Sequence, residues 1–282
     1  FLQPHDCCYW VFEHHDGTPL TRLGPRPAVL PPLPPNHGYC AKEPAPISRQ
    51  REKREGATVW SPEHWRWYLW NYYRMVEMAD AEVGRVLDAL EDAGLSQDTL
   101  VVLTADHGDG LARHGLTSKM FLYDEAARVP FIVSCPGRVQ AGVRDARHLV
   151  SGLDVAPTLC DFAGVDGLPH ARGLSLRPLL EGRADAPWRE YLVAETFRTG
   201  RMVRTPEYKY IAYTDDPATQ LFDMRNDPGE LANLAPDASK ADTVRDLAGR
   251  LAAWERSLDL FPLKEPGPKR LPGGKRRKAA TS

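Results

Sequence analysis

The sequence of 282 residues has no long hydrophobic run, few cysteines and no strong excess of one charge. No apolar stretch approaches the roughly 18–20 residues that a membrane-spanning helix needs, so no membrane span is expected. The five cysteines are odd in number and lack CxxC spacing, which argues against a disulfide framework and against a zinc site. The formal net charge of −2 points to no particular partner, and no nucleic-acid partner is expected.

The first residues lack the features of a protein's beginning. Phe1 stands where an initiator Met would be, and residues 1–5 have neither the basic nor the apolar region of a signal peptide. We interpret the chain as starting inside a longer protein, with a natural truncated paralogue as the alternative. The compartment (cytoplasmic, periplasmic or secreted) and the oligomeric state are left open.

The first part of the chain combines a proline-rich segment with a long helix. Residues 16–58 are predicted to be irregular, because their prolines are incompatible with a helix or a central strand, and to form either a structured loop near a site or a linker. Ser61 is a good N-cap for the helix that follows, and Gly94 can end it. Between them, apolar residues recur at steps of three and four.

The next segments predict the strands of an α/β domain. Residues 99–106 include an apolar run without alternation, which is typical of a strand buried on both faces of a parallel sheet. A second strand is predicted at residues 129–134, and a short extended piece near residues 148–150 leads to a helix starting around Asp154. The long helix before the first strand fits a βαβ crossover. We therefore expect a mixed, mainly parallel sheet flanked by helices.

The sequence changes in character from about Trp188. Three short segments, at residues 191–196, 200–205 and 208–213, predict antiparallel strands, and residues 242–258 predict an amphipathic helix. Together they indicate a small α+β subdomain. The predicted division is 1–185 for the larger α/β domain, 186–262 for the subdomain, and 263–282 for a basic disordered tail.

The segment that suggests chemistry begins at Asp106, at the carboxyl end of the first predicted strand. Ligands bind at that edge of open parallel sheets, and the adjacent carboxylate and imidazole of Asp106 and His107 can bind a divalent cation. Gly108 and Gly110 allow the backbone to turn and leave the site open. Asp-His-Gly alone also fits a simple turn in which the Asp caps the following backbone and the His is exposed.

A family resemblance strengthens the first interpretation. Residues 100–137, "LVVLTADHGDGLARHGLTSKMFLYDEAARVPFIVSCPG", resemble the second signature block of the sulfatase family, and residues 149–165 with 172–182 resemble the next block. Residues 202–213 and 220–235 resemble the family's C-terminal subdomain. The resemblance covers roughly residues 60–260 in the family's order. It implies an alkaline phosphatase-like α/β fold, here incomplete, with a small antiparallel subdomain.

The resemblance also implies roles for individual residues. Asp106 and His107 match the second pair of metal ligands, with Ca²⁺ most expected and Mn²⁺ or Mg²⁺ as alternatives; a nitrogen ligand suits Mn²⁺ better than Ca²⁺. Lys119 matches the lysine that contacts the sulfate group or the bridging oxygen. His5 resembles a His that contacts sulfate and moves a proton. His114 resembles a His that either hydrogen-bonds substrate or holds the loop.

Two parts of the family's active site are absent from the sequence. No Cys or Ser before Asp106 lies in the pattern C/S-x-P/A-x-R, which yields the formylglycine nucleophile. The one later match, Ser134 to Arg138, lies within the block that resembles the second signature, so formylglycine is expected only in a missing N-terminal part. The first metal pair, two adjacent Asp near the start of the fold, is also absent, since Asp215-Asp216 lies in the subdomain. This chain alone is therefore predicted to bind metal weakly and to show little turnover.

The predicted reaction is metal-dependent hydrolysis of a sulfate ester of a small molecule or a glycan. In the family's reaction the hydrated aldehyde attacks sulfur, the alcohol leaves, and the covalent sulfate is then eliminated. One alternative is a phosphonate or phosphate ester hydrolase on the same fold. An alternative of another class is a noncatalytic protein that binds a sulfated ligand.

Overall fold

A computed structural model describes residues 27–39, 43–53, 60–183, 185, 187–196 and 199–258. The helices are α1 (Ala45–Lys53), α2 (Pro62–Asp92), α3 (Asp124–Ala127), α4 (Val155–Ala163), α5 (Arg177–Leu180) and α6 (Ala241–Arg256). The strands are β1 (Val101–Thr104), β2 (Phe131–Ser134), β3 (Leu192–Thr196), β4 (Gly200–Arg204), β5 (Tyr208–Tyr213) and β6 (Asp216–Asp223). Short 3-10 turns lie at Arg113–Gly115, Gly152–Asp154 and Ala238–Lys240. No helix in the described ranges combines the length and apolar character needed to cross a membrane.

The long helix α2 is confirmed, and its first turn shows why it starts at Pro62. The Ser61 hydroxyl accepts from the His64 amide at 3.3 Å, while the Ser61 amide donates to His64 Nδ1 at 3.3 Å. This reciprocal cap gives acceptors to the Ser61 and His64 amides, two donors that lack a backbone partner at the start of the helix. Gly94, with φ of +69°, lies just past the helix end, as expected. The buried residues of α2 lie between Trp65 and Asn71, whereas Val86, in its second half, is exposed.

The prediction that residues 16–58 are irregular is wrong for α1. Pro44 and Pro46 lie just before and inside the first turn, where proline is tolerated, and no proline follows before the helix ends at Lys53. The apolar residue Ile47 is buried and packs into the main core. The prediction failed because it applied the proline content of residues 16–58 as a whole to the shorter segment that forms α1.

The first two strands do not show the parallel arrangement that was expected for most of the mixed sheet. β1 and β2 pair antiparallel, with Val101 opposite Ser134 and Thr104 opposite Phe131. Leu103 is partly exposed, so β1 is not buried on both faces by the described residues. An apolar run indicates a tendency to be buried but not the direction of the neighbouring strand. No strand is found at residues 148–150, although α4 follows as predicted.

The C-terminal sheet is an antiparallel meander with the order β3-β4-β5-β6. The three predicted strands are confirmed, and β6 is a fourth that the sequence patterns had not identified. Side chains alternate between the two faces, as expected for strands. One face carries Met202, Ile211 and Phe222, which pack with the segment from Leu116 to Ala126. The other face carries Val203, Tyr210 and Leu221, which pack with Leu247 and Leu251 of α6.

This sheet is built directly onto the segment that follows Lys119. Phe121, Leu122 and Tyr123 lie in one core with β4, β5 and β6. Residues from both sides of the predicted boundary between residues 185 and 186 contribute to this core, so the two predicted parts pack against each other. The predicted boundaries remain predictions, and the tail at 263–282 lies outside the described residues.

Candidate active site

The three polar groups predicted at the end of β1 lie together. The Asp106 Oδ2 and His107 Nε2 atoms are 3.1 Å apart, and the Lys119 ammonium contacts the same His107 nitrogen. The His107 amide donates to Asp106 Oδ1 at 3.0 Å, which fixes the carboxylate. The Asp106 side chain is 83% exposed and that of His107 is 30% exposed, so the cluster opens toward solvent. Asp106 thus both caps the backbone and faces the imidazole.

The contacts of His107 define which ring nitrogen carries the proton. His107 Nδ1 lies 2.8 Å from the Gly108 carbonyl oxygen, which can only accept, so Nδ1 carries hydrogen and donates. The Lys119 ammonium can only donate, so Nε2 presents its lone pair to it. This tautomer directs the lone pair of Nε2 at the cluster.

This arrangement can form part of a metal site. The Asp106 oxygen and the His107 nitrogen are both acceptors 3.1 Å apart, and their repulsion is offset here by the Lys119 ammonium, a position that a metal cation could also serve. Neighbouring ligands of an octahedral ion with bonds of about 2.1 Å lie about 3 Å apart, which matches this separation. Across the ranges that the structure describes, no group of three or more His, Cys, Asp and Glu side chains could hold a metal. The two residues fit as part of a larger ligand set.

Asp109 closes the loop that brings Lys119 back to His107. This buried carboxylate accepts from the Tyr68 hydroxyl, and from the amides of Leu111 and Ser118 at 3.1 Å each. The Gly110 amide also donates to the Ser118 carbonyl at 2.8 Å. No role was predicted for Asp109 from the sequence. The available signal was a second acidic residue directly after Asp-His-Gly, followed by a closely spaced Lys.

The loop from residue 109 to 118 is held in a strained conformation. Four non-glycine residues have positive φ: Leu111, Ala112, His114 and Ser118, with φ from 49° to 69°. Such backbone persists only where surrounding contacts enforce it, and it is common at functional sites. The Asn36 carbonyl accepts from the His114 amide at 2.7 Å, and Arg51 donates to the His114 carbonyl at 2.9 Å.

Both glycines of the motif are required by close packing. A Cβ atom on Gly108 would lie 1.9 Å from the Glu125 carbonyl oxygen, and one on Gly110 would lie 2.5 Å from the Leu116 carbonyl oxygen. Neither position could carry a side chain without moving backbone. The glycines thus allow α3 and the loop to approach the His107 segment, a reason beyond keeping the site open.

His114 does not join the cluster. Its side chain has no exposed surface and stacks on Tyr123, with ring centroids 4.0 Å apart. Burial, helped by the nearby charges of Arg51, Lys209 and Arg113, lowers the pKa of His114 to about 4. In the described residues His114 therefore lies in the core beneath the loop, and its two predicted roles, hydrogen-bonding substrate and holding the loop, stay predictions. His5 lies outside the described residues, and its role stays a prediction.

Two family profiles match the chain. One, described as "Sulfatase", matches residues 33–165, and the other, described as "N-sulphoglucosamine sulphohydrolase, C-terminal", matches residues 112–257. The two matches overlap at residues 112–165, which include Lys119 and most of the loop described above. The chain belongs to the sulfatase family.

Individual relatives agree with this assignment. A Δ4,5-hexuronate-2-O-sulfatase of Bacteroides thetaiotaomicron is 35% identical over 84% of this chain and 52% of its own length. The structure of a 2-O GAG sulfatase matches with a TM-score of 0.79 and 32% identity, over 92% of this chain and 60% of that one. A phosphonate monoester hydrolase of Agrobacterium radiobacter matches with a TM-score of 0.66 and 29% identity, over 71% and 43%.

These neighbours confirm the predicted fold class, the α/β alkaline phosphatase-like fold. The chain spans between about half and three fifths of the hexuronate sulfatase and of the GAG sulfatase structure. What is described here is accordingly a part of the fold found in those proteins. It holds the end of β1, the loop to Lys119 and the C-terminal sheet.

Proposed function

We propose that this chain supplies part of the active site of a sulfuric ester hydrolase. The observation that carries the proposal is the convergence of Asp106 Oδ2, His107 Nε2 and the Lys119 ammonium at the end of β1. Membership of the sulfatase family supports sulfate esters as the substrate class.

Each group has a distinct task in this proposal. Asp106 and His107 contribute two ligands to a divalent metal, Ca²⁺ or Mn²⁺, which polarises the oxygens of a sulfate ester when bound. Lys119 places a positive charge where negative charge develops on the ester oxygens. His5 is assigned to contact sulfate and move a proton. Because no C/S-x-P/A-x-R pattern precedes Asp106, these 282 residues alone are expected to show little turnover.

A sulfated glycan is the substrate type best supported by the relatives. Two of the similar proteins are named for a hexuronate 2-O-sulfate and for a GAG sulfate. The second candidate is a phosphonate ester, because a phosphonate monoester hydrolase shares the fold at 29% identity. A noncatalytic protein that binds a sulfated ligand is the remaining alternative and would need neither metal nor turnover.

Metal binding tests the proposal on the chain itself. We expect titration with MnCl₂, followed by electron paramagnetic resonance, to show weak binding, with a Kd on the order of 0.1–1 mM. His107→Ala should weaken binding at least about tenfold, since a ligand is lost. Lys119→Met should instead strengthen it, because the ammonium beside His107 Nε2 repels a cation.

The exposed His170 gives a matched control, and His170→Ala should leave Mn²⁺ binding unchanged. Equal affinity of the wild-type chain and His107→Ala would contradict the metal assignment. The substrate class is tested on the protein expressed from its whole gene, with matched aryl sulfate, phosphodiester and phosphonate esters. Faster turnover of the phosphonate would favour the second candidate.

A further inference from the structure

The segment that carries His107 rests on the short helix α3. The Gly108 amide donates to the Ala126 carbonyl at 2.8 Å, and Gly108 approaches Glu125 so closely that no Cβ fits. The Gly108 carbonyl in turn accepts from His107 Nδ1. The position of α3 therefore decides where the Gly108 peptide lies, and the Gly108 peptide decides which His107 nitrogen is left unprotonated.

A buried ion cluster from the C-terminal sheet holds α3 at its first residue. Lys209, in β5, and Glu230, after β6, both have fully buried side chains, and the Lys209 ammonium lies 2.8 Å from Glu230 Oε1. The same ammonium contacts the Asp124 carboxylate and donates to the Leu122 carbonyl at 3.2 Å. Glu230 also accepts from the Asp124 amide at 2.6 Å.

A second tie joins the same elements one residue further along. Asn36 Nδ2 donates to the Glu125 carboxylate at 3.0 Å and to the Gly229 carbonyl at 3.1 Å. The loop at residues 229–230 therefore holds α3 through both Asp124 and Glu125. Glu230 keeps a φ of +56°, a conformation that non-glycine residues rarely adopt.

A buried ion cluster of this kind is not an efficient means of stabilising a fold. Desolvating the charges offsets most of their attraction, and apolar replacements are often as stable. Its contribution is better sought in the geometry that it enforces. Here the contacts that start at the ion cluster lead through α3 and Gly108 to the imidazole of His107.

We propose that Lys209 and Glu230 are positioning residues for His107, acting through Asp124, α3 and Gly108. They hold the Gly108 carbonyl against Nδ1, so that Nε2 faces Asp106 and Lys119. The catalytic meaning of this role rests on the proposed function, but the geometric role does not. It also gives the C-terminal sheet a task in the active site beyond completing the core.

The test compares Glu230→Ala, Glu230→Gln and Lys209→Met with Glu207→Gln. Glu207 lies on the same subdomain in a surface ion pair with Arg225, so it controls for loss of a carboxylate. One readout is the ¹⁵N signals of the His107 ring at pH 8, which report the tautomer directly. The other is hydrogen exchange of the Gly108 amide relative to amides of β4, β5 and β6.

We expect the wild-type chain and Glu207→Gln to show the Nδ1-protonated ring. Glu230→Ala should show mixed tautomers and exchange of Gly108 faster by about tenfold or more, since bonds to a charged group are lost. Glu230→Gln should be milder, because the amide oxygen can still accept from Asp124. The amides of β4 to β6 should keep their rates.

An unchanged tautomer and an unchanged Gly108 rate in Glu230→Ala would overturn the proposal. So would acceleration of the sheet amides by the same factor, because that is general destabilisation. If Glu230→Ala does not fold, Glu230→Gln and Lys209→Met decide by the same criteria. Neither readout needs a metal, so failure of the wild-type chain to bind Mn²⁺ would contradict the proposed function and leave this test valid.

Discussion

The two sheets of the molecule differ in how completely their apolar side chains are covered. In the four-stranded sheet, Val203, Ile211, Leu221 and Phe222 have no exposed surface. In the two-stranded sheet that leads to the candidate site, Ile132 is 57% exposed. A two-stranded sheet is marginal by itself, whereas four strands packed on both faces form a stable unit. The candidate site thus lies at the end of the sheet that is less stable by itself.

This difference shows where the geometry of the site comes from. The β1–β2 pair presents Asp106, but the contacts that fix the surrounding loop come from Asn36, α2 and the C-terminal sheet. Relatives matched by the chain have considerable further length, 48% of the hexuronate sulfatase lying outside the match, counted as 100% minus the 52% covered.

The largest expected effect separates the two sheets directly. Phe222→Ala removes a fully buried ring of β6 that contacts the ring of Tyr123, so the free energy of unfolding should fall by about 3–5 kcal/mol. Ile132→Ala removes a side chain that is mostly exposed, so the loss should stay below about 1 kcal/mol. Urea unfolding followed by tryptophan fluorescence measures both.

Similar losses for the two variants would break the comparison. They would indicate that Ile132 is covered in solution, by a second copy or by residues outside the described ranges. Sedimentation of the Ile132→Ala variant would then distinguish self-association from coverage within one chain.

Local sequence features predicted the members of the candidate site. Asp106 and His107 are adjacent at a strand end, and Lys119 follows after a short loop, so the chain itself brings them together. The cap at Ser61 and the strands up to Tyr213 were predicted for the same reason, since their signals lie within one turn or one strand. The burial of His114 was not, because it depends on Tyr123 and the sheet beneath it.

Long-range contacts supplied what local patterns could not. The partners of α3, Lys209 and Glu230, lie 85 and 106 residues from Asp124 in sequence. One signal was present, since Lys209 stands between two tyrosines in an otherwise apolar strand, where an unpaired charge would be costly. The antiparallel pairing of β1 with β2 had no such signal, because strand direction depends on the path of the connection.

A change of pH is expected to have an intermediate effect on the free energy of unfolding. The effect has opposite signs for His114 and for Glu230. The pKa of His114 is lowered to about 4 by burial, so between pH 4 and 6.5 the unfolded chain binds a proton that the folded chain excludes. Stability should therefore fall as pH decreases through this range, by on the order of 3 kcal/mol for this group alone. Burial raises the pKa of Glu230 to about 7, against the attraction of Lys209.

Glu230 acts in the opposite direction, because the folded chain keeps a proton that the unfolded chain releases above pH 4.5. Its contribution to stability falls as pH rises toward 7. His114→Phe, which retains stacking on Tyr123, should therefore make the chain more stable at pH 5 than at pH 7.5. Urea midpoints at the two pH values check this, and a variant that still loses stability in acid would show that His114 is not the responsible group.

The smallest expected effect compares the two halves of α2. Ser61→Ala removes the cap and should lower the free energy of unfolding by about 1 kcal/mol, since the His64 amide loses its partner. Val86→Ala, on the exposed second half, should change it by less than about 0.5 kcal/mol, because alanine favours helix and little packing is lost. Thermal unfolding at matched concentration measures both changes. A larger loss for Val86→Ala would show that the second half of α2 is packed in solution. The helix could then no longer be divided into a buried part and an exposed part.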